Sequence, residues 1–460
     1  MQLGVQVWLA RLLAPEDFGL MAMLLVVTAI GQVFVEGGMG VALIHAKDSS
    51  REDESTVLYC NAALAGLVVL VLWFAAPAVA AFYQRAELVG MLRLSSTGLA
   101  AGALGVVQSS ILRRQLAFRS LSIINLGTVA LAGGISIFLA SQGFGVWSLV
   151  WQFVLSSMFR SAGFWLFSDW RPLLAFHMES IRRIGAYGTR LVASNLISTV
   201  FQNLNQVLIG KFYQPVDLGY YNRAQVMQGL PVNTFSEAVS GVMLPAFVQI
   251  NENPAKFQMG FQEALRCSAA ISVPMMALLG VLAEPVFMVV LGAKWLPAVP
   301  YFQLFCLSGM LYPIQLLNVN TLLAQGQPQL YLRAEVGKRV LALLGSVAAL
   351  PFGVMAFAVA SVIVSFLSLV VNTHYSAIMM DFGLGKQMRL VAPLAGGAVI
   401  AGASSWLALS FCPGSPILRI AICGIVFGAL YLALTWRIAV ALWRFARGAL
   451  ENRVGGGTQP

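Results

Sequence analysis

The chain has 460 residues, 59% of them hydrophobic and only 10% charged, where a soluble domain carries roughly a quarter. With a mean hydropathy of +0.80, this excludes an ordinary water-soluble fold and places the chain in a bilayer. The net charge of +10 is dispersed over short loops, which argues against a nucleic-acid-binding surface. Cys60, Cys267, Cys306, Cys412 and Cys423, with His45, His177 and His374, stand singly, with no spacing for a metal, redox or other cofactor site.

The first apolar segment, Gln2 to Leu13, is shorter than the roughly 20 residues a helix needs to cross the hydrocarbon core. Longer apolar runs follow at about 18–44, 57–83, 90–112, 120–140, 145–168, 187–213, 219–248, 262–291, 298–324, 330–350, 352–379, 390–411 and 416–443. They predict an all-α polytopic membrane protein of about fourteen transmembrane helices, the first one truncated. Lys and Arg gather in alternate connections, among them Lys47, Arg51, Arg113, Arg114, Arg171, Lys256, Arg333, Lys338 and Lys386, and are sparser on the other side. By the positive-inside rule both termini are expected on the cytoplasmic side of the membrane.

A duplication organises these spans. Gln6-Val7 followed by Pro15-x-Asp17-x-Gly19 recurs as Gln206-Val207 followed by Pro215-x-Asp217-x-Gly219. With a one-residue slip, Glu36-x-x-x-Gly40-Val41-x-Leu43 recurs as Glu237-x-x-x-Gly241-Val242-x-Leu244. Two weaker traces pair Gln115-Leu116-x-Phe118-Arg119 with Gln329-Leu330-x-Leu332-Arg333, and Phe144-Gly145-Val146 with Phe352-Gly353-Val354. At an offset of 200, the residues matching Tyr187 and Arg190 fall before residue 1, so part of a first helix is expected to be missing. An even number of spans between the copies predicts two parallel lobes related by a pseudo-twofold axis along the membrane normal. The expected plan is a six-helix lobe over 1–168, a cytoplasmic interfacial linker over 169–185 and a second six-helix lobe over 186–380. Two additional helices over 381–444 and a disordered tail over 445–460 complete it.

The clearest polar pattern lies in the span at 187–213, where Tyr187, Arg190, Ser194, Ser198, Gln202 and Asn205 recur every three or four residues on one helix face. Asn195, Asn203 and Gln206 broaden the stripe, which reads either as the wall of a wet cavity or as a seam between helices. Glu36 and Glu237 sit within apolar runs, so each is a candidate for coupling or gating and calls for a proton or a cation such as Arg190 or Arg266. In the Pro-x-Asp-x-Gly phrase the expected roles are structural: Pro sets a turn, Asp caps the next helix and Gly relaxes the backbone. Arg11 and Lys211, six residues before each Asp, are placed at the outer rim. No HExxH, phosphate-cradling loop or large external segment suggests an enzyme.

Leu9-Ala10-Arg11-Leu12-Leu13-Ala14-Pro15-Glu16-Asp17-Phe18-Gly19-Leu20, and later Gly145-Val146-Trp147, Leu218-Gly219-Tyr220-Tyr221, Leu244-Pro245-Ala246-Phe247 and Leu291-Gly292-x-Lys294-Trp295, resemble polysaccharide exporters of the colanic-acid and teichuronic-acid type. That family includes the Wzx-type flippases and belongs to the multidrug/oligosaccharidyl-lipid/polysaccharide (MOP) exporter superfamily. The resemblance implies fourteen helices in two lobes around a V-shaped cavity. It implies carriage of an undecaprenyl-pyrophosphate-linked oligosaccharide to the outer leaflet by alternating access, with membrane lipids, a polysaccharide polymerase and glycosyltransferases as partners. Arg190, with Arg266 or Lys338, is the expected pyrophosphate contact, and the amides and hydroxyls of Ser194, Asn195, Ser198, Gln202 and Asn205 the expected sugar contacts. Two departures stand out: a full first helix is lacking, and Glu36 replaces the family's usual Asp. The rival readings are a cation-coupled drug or metabolite antiporter of the same superfamily, and a polymerase or ligase acting on lipid-linked sugars.

Overall fold

Proline opens five of the long helices, at Pro15, Pro215, Pro254, Pro328 and Pro416, because its missing N–H costs nothing where the first turn has no partner to offer. The structure, a computed structural model, describes residues 1–36, 40, 43, 50–411 and 414–455, with side chains at all of these except 36, 179–187, 189, 190, 439 and 441–455. Among the described residues there are seventeen α-helices and two short 3-10 turns. The chain separates into two compact units, Met1–Asn222 and Arg223–Pro460.

The first unit holds α1 (Gln2–Leu12), α2 (Pro15–Glu36), α3 (Arg51–Tyr83), α4 (Leu88–Ala103), α5 (Val106–Arg114), α6 (Phe118–Ser141), α7 (Val146–Phe167), α8 (Met178–Gln202) and α9 (Leu204–Phe212). It also takes the opening of α10 (Pro215–Ile250). The second unit takes the rest of α10, then α11 (Pro254–Val281), α12 (Ala283–Val290), α13 (Val299–Ala324), α14 (Pro328–Ala349), α15 (Val354–Met380), α16 (Leu384–Phe411) and α17 (Pro416–Gly455). The packing boundary falls inside α10, and α8 and α9 pack with the N-terminal helices.

Eight described helices are long and apolar enough to cross a membrane, or nine if α4 and α5, bent by 41°, form one span. The full expected set of fourteen is not met by this measure. The helices that fall short carry the polar residues: α14 holds Arg333, Glu335, Lys338 and Arg339, and α8 holds the amide and hydroxyl stripe. Among the described residues three expected single spans are interrupted, that at 262–291 breaking at Leu282 between α11 and α12. That at 90–112 breaks at Leu104 and Gly105, and that at 187–213 breaks at Asn203, whose side-chain amide turns back to the Thr199 carbonyl at 2.8 Å. The helix α10 runs unbroken through Pro231 and Pro245, leaving the carbonyls four residues earlier without their usual partner. The helix α17 runs on to Gly455 over part of the expected tail, and residues 456–460 lie outside the described residues.

Local chemistry fixes the ends. Ser50 and Asp53 form a reciprocal capping box at the start of α3, each side chain accepting the other's backbone N–H at 3.1 Å. One turn on, Glu54, with a side chain 5% exposed, meets Arg114 of α5 at 2.6 Å. Arg114→Ala is expected to cost about 1.5–3 kcal/mol, the usual worth of a hydrogen bond to a charged group. A lowered thermal midpoint in detergent, largely restored by Arg114→Lys, is the measurement.

The connection after α7, expected as an interfacial linker, begins without helix. From Ser168 to His177 it is non-helical and strapped to α3. Ser55 Oγ accepts the Leu173 N–H at 2.9 Å, Thr56 Oγ1 accepts the His177 N–H at 3.1 Å, and Tyr59 donates to the Leu173 carbonyl at 3.0 Å. Trp170 is buried with Leu43, Val57, Leu58, Val107 and Ile111.

The repeat is visible in backbone geometry. Gly145 and Gly353, both at positive φ, immediately precede α7 and α15. The helix-ending turns also match: the N–H groups of Leu116 and Ala117 bond the carbonyls of Arg113 and Leu112, as those of Gly326 and Gln327 bond Leu323 and Leu322. This equates Leu116 with Gly326, so the expected pairing of Gln115-Leu116 with Gln329-Leu330 is out of register by four residues.

Within the first unit the two Pro-x-Asp-x-Gly copies press on each other. A Cβ on Gly19 would lie 1.7 Å from the Pro215 carbonyl oxygen, and one on Gly219 would lie 2.0 Å from the Pro15 carbonyl oxygen. Both glycines sit inside regular helix, so they serve close backbone approach rather than a relaxed turn. Asp17 does act as a cap, accepting the Ala14 N–H at 2.9 Å.

Candidate functional site

Along α8, Ser194, Asn195 and Gln202 are exposed and Ser198 is half-buried, so this helix leaves much of its polar face uncovered. The stripe continues past the break at Asn203 into α9, where Asn205 donates to the Tyr221 hydroxyl at 3.0 Å. The side chains of Tyr187, Arg190 and Glu36, which head the stripe and the carboxylate pair, lie outside the described residues.

Glu237 is exposed on α10, with no ion pair or hydrogen bond among the described residues. The two further cations expected at the site are neutralised locally. Arg266 lies 2.5 Å from Glu263, and Lys338 pairs with Glu335, each one turn away on its own helix. Their charge is therefore less available to an anion than composition suggests. At the expected outer rim, Lys211 donates to the Phe82 carbonyl and lies 4.7 Å from the Phe82 ring centroid. Beside it Arg85 donates to Gln214 at 2.8 Å. Arg11 is exposed at the end of α1. Lys211 and Arg85 are thus engaged with the protein's own backbone and amides.

Sequence reading missed three polar assemblies. In the first unit a cavity of about 200 Å³ opens between α2, α5 and α7, lined by Gln32, Ser109, Arg113, Ser157 and Arg160. In the second unit, fully buried Asn318 accepts from Ser376 Oγ at 2.5 Å and from Gln387 Nε2 at 2.9 Å, and donates to Gln387 Oε1 at 3.1 Å. There too the buried Arg223 guanidinium lies 5.8 Å from the ring of Trp295, itself wholly buried. Only the last carried a sequence signal, in the Lys294-Trp295 phrase.

These helices, their spans and their polar faces define a multi-span membrane protein with a transporter fold. A solved structure described as "Lipid II flippase MurJ, inward closed conformation" is similar with a TM-score of 0.77 and 15% identity, covering 95% of this chain and 97% of that one. An inward-facing multidrug resistance MATE family transporter of the MOP superfamily is similar with a TM-score of 0.63 and 18% identity, over 83% of this chain and 95% of that one. At these identities the likeness is one of fold, the fold of the MOP exporters.

The chain belongs to the family described as "Polysaccharide biosynthesis protein", which it matches over residues 8–300. It is 28% identical over 306 residues to the succinoglycan biosynthesis transport protein ExoT of Rhizobium meliloti (strain 1021), covering 66% of this chain and 62% of that protein's length. To the teichuronic acid biosynthesis protein TuaB of Bacillus subtilis (strain 168) it is 26% identical over 385 residues, 79% of each. To the lipopolysaccharide biosynthesis protein WzxC of Escherichia coli (strain K12) it is 23% identical over 309 residues, 66% of this chain and 62% of that one.

Proposed function

We propose that the protein is a transporter, not an enzyme, that carries an undecaprenyl-pyrophosphate-linked oligosaccharide from the inner to the outer leaflet of a bacterial cytoplasmic membrane by alternating access. The observation that carries this reading is the uncovered polar face of α8, in a chain of the polysaccharide biosynthesis family. Hydroxyls and amides of Ser194, Asn195, Ser198, Gln202 and Asn205 have the chemistry to meet sugar hydroxyls, while Arg190 supplies the cation a pyrophosphate needs in a bilayer. Glu36 and Glu237 are proposed to couple the cycle to an ion gradient. Both termini are assigned to the cytoplasm, where glycosyltransferases would deliver the substrate, and a polymerase would take it up outside. The relatives' roles in succinoglycan, teichuronic acid and lipopolysaccharide biosynthesis support the substrate class.

The test is export of the native polysaccharide in a strain lacking this gene. Arg190→Ala is expected to lower export at least about tenfold with the protein still present in the membrane, since loss of a charge-assisted contact exceeds about 1.4 kcal/mol. Undiminished export from both Arg190→Ala and Arg190→Lys overturns the assignment of Arg190. Drug efflux that survives loss of polysaccharide export, and stops with Glu237→Gln, would favour the antiporter instead.

A further inference from the structure

The basic side chains of the first unit fall into two groups. Most have acceptors: Arg114 has Glu54, Arg85 has Gln214, Lys211 the Phe82 carbonyl, and Arg171 the carbonyls of Ser168 and Trp170 at 2.6 and 2.8 Å. Arg51, Arg113, Arg119 and Arg160 have no side-chain hydrogen bond or ion pair among the described residues, and of these Arg113 and Arg160 line the cavity between α2, α5 and α7. An arginine on a membrane helix costs roughly 2.5–3.5 kcal/mol at depth unless it meets water or an anion.

The cavity walls are matched to an anion. Along α7, Ser157, Arg160 and Ser161 recur at three- and four-residue spacing and so share a face; on α5, Ser109 and Arg113 do the same. Ser109 and Ser110 spend their protons on backbone carbonyls, at 2.9 and 3.0 Å, but the hydroxyls of Ser157 and Ser161 have no partner among the described residues. Among the described residues that line the cavity, none is acidic. Gly105 lets α5 and α7 close on one another, since a Cβ there would lie 3.0 Å from both Ser161 Oγ and the Phe164 ring. What remains is a recess of about 200 Å³, several times the roughly 30 Å³ share of a water, with two cationic forks that can only donate and hydroxyls with a proton to offer.

We propose that this recess is an anion site for a phosphate-bearing lipid headgroup, with Arg113 and Arg160 holding the phosphate oxygens and Ser157 and Ser161 completing the donor set. Guanidinium forks match phosphate bidentately, which a pair of lysines would not. Arg113 ends α5 and Arg160 lies two turns from the end of α7, both at the face that loop charge assigns to the cytoplasm, where a carrier lipid is loaded. The site deepens the flippase reading, on which the choice of a pyrophosphate carrier rests. An inner-leaflet phospholipid presents the same chemistry.

The experiment uses the purified full chain in neutral detergent and native mass spectrometry, titrating geranylgeranyl pyrophosphate and phosphatidylglycerol separately. Arg113→Gln combined with Arg160→Gln is expected to weaken the tighter of the two at least about tenfold. Arg119→Gln, the same charge change on an exposed residue outside the recess, is expected to change nothing, and the double lysine variant to recover part of the affinity. Preference for the pyrophosphate identifies the carrier as the occupant; preference for phosphatidylglycerol identifies a structural phospholipid. Undiminished binding of both by a double glutamine variant with an unchanged elution profile and melting midpoint overturns the site. Export is read separately: a chain that binds through these arginines but never restores export overturns the flippase reading and leaves the site standing.

Discussion

Gly19→Ala is expected to abolish recovery of folded, monodisperse protein, and Gly219→Ala to do nearly the same. The added methyl on Gly19 would sit 1.7 Å from the Pro215 carbonyl oxygen and 2.5 Å from its carbon, distances at which no rotamer change helps because the obstacle is backbone. Overpacking a core typically costs about 1–3 kcal/mol when side chains can yield, and more when they cannot. A helix-favouring effect opposes it, since alanine is preferred to glycine within a helix by about 1 kcal/mol. That gain is visible where nothing blocks the methyl. Gly127 on α6 has no atom within 4 Å of its hypothetical Cβ, so Gly127→Ala should hold or raise the melting midpoint. Fluorescence-detected size exclusion of the three variants decides it; a normal peak from Gly19→Ala would show that the helices separate at little cost.

The second large effect is expected at Asn318. Its amide is wholly buried and serves Ser376, Gln387 and the Ile314 carbonyl. Interhelical hydrogen bonds in membrane bundles average only about 0.6 kcal/mol each. Removing this hub costs more because Gln387, 69 residues away and also wholly buried, keeps only its bond to the Phe382 carbonyl at 3.1 Å. Stranding buried polar groups costs about 1–3 kcal/mol apiece, so Asn318→Ala should lose about 2–4 kcal/mol. The combination Asn318→Leu with Gln387→Leu should recover much of this, because both partners then leave together. Thermal midpoints in a double-mutant cycle give the coupling, and strictly additive losses would show that α13 and α16 are not held by this network.

Hydropathy made the fold class legible, and the phrase around Pro15 and Pro215 located the repeat. The break at Gly105 was hidden because no proline marks it and its flanks are apolar, and that at Asn203 because its amides read as part of one continuous polar stripe. Arg113 was read as a loop charge, since a linear scan sees its neighbour Arg114 but not that one faces Glu54 and the other a recess. Asn318 and Gln387 meet only in three dimensions. The polar stripe on α8 was plain in the spacing, whereas the local pairing of Arg266 with Glu263 and Lys338 with Glu335 was overlooked although it is written at three-residue spacing.

A segment that seats itself on its own duplicate makes the kind of contact that two identical subunits make about a twofold axis, where each residue's partner is answered in mirror order. The reciprocal seating of Gly19 on Pro215 and Gly219 on Pro15 has that form. A homodimer of half-length chains would make the same contact, and there one substitution would strike both sides at once. In this chain each glycine can be changed alone, so the two halves of the contact can be weakened separately.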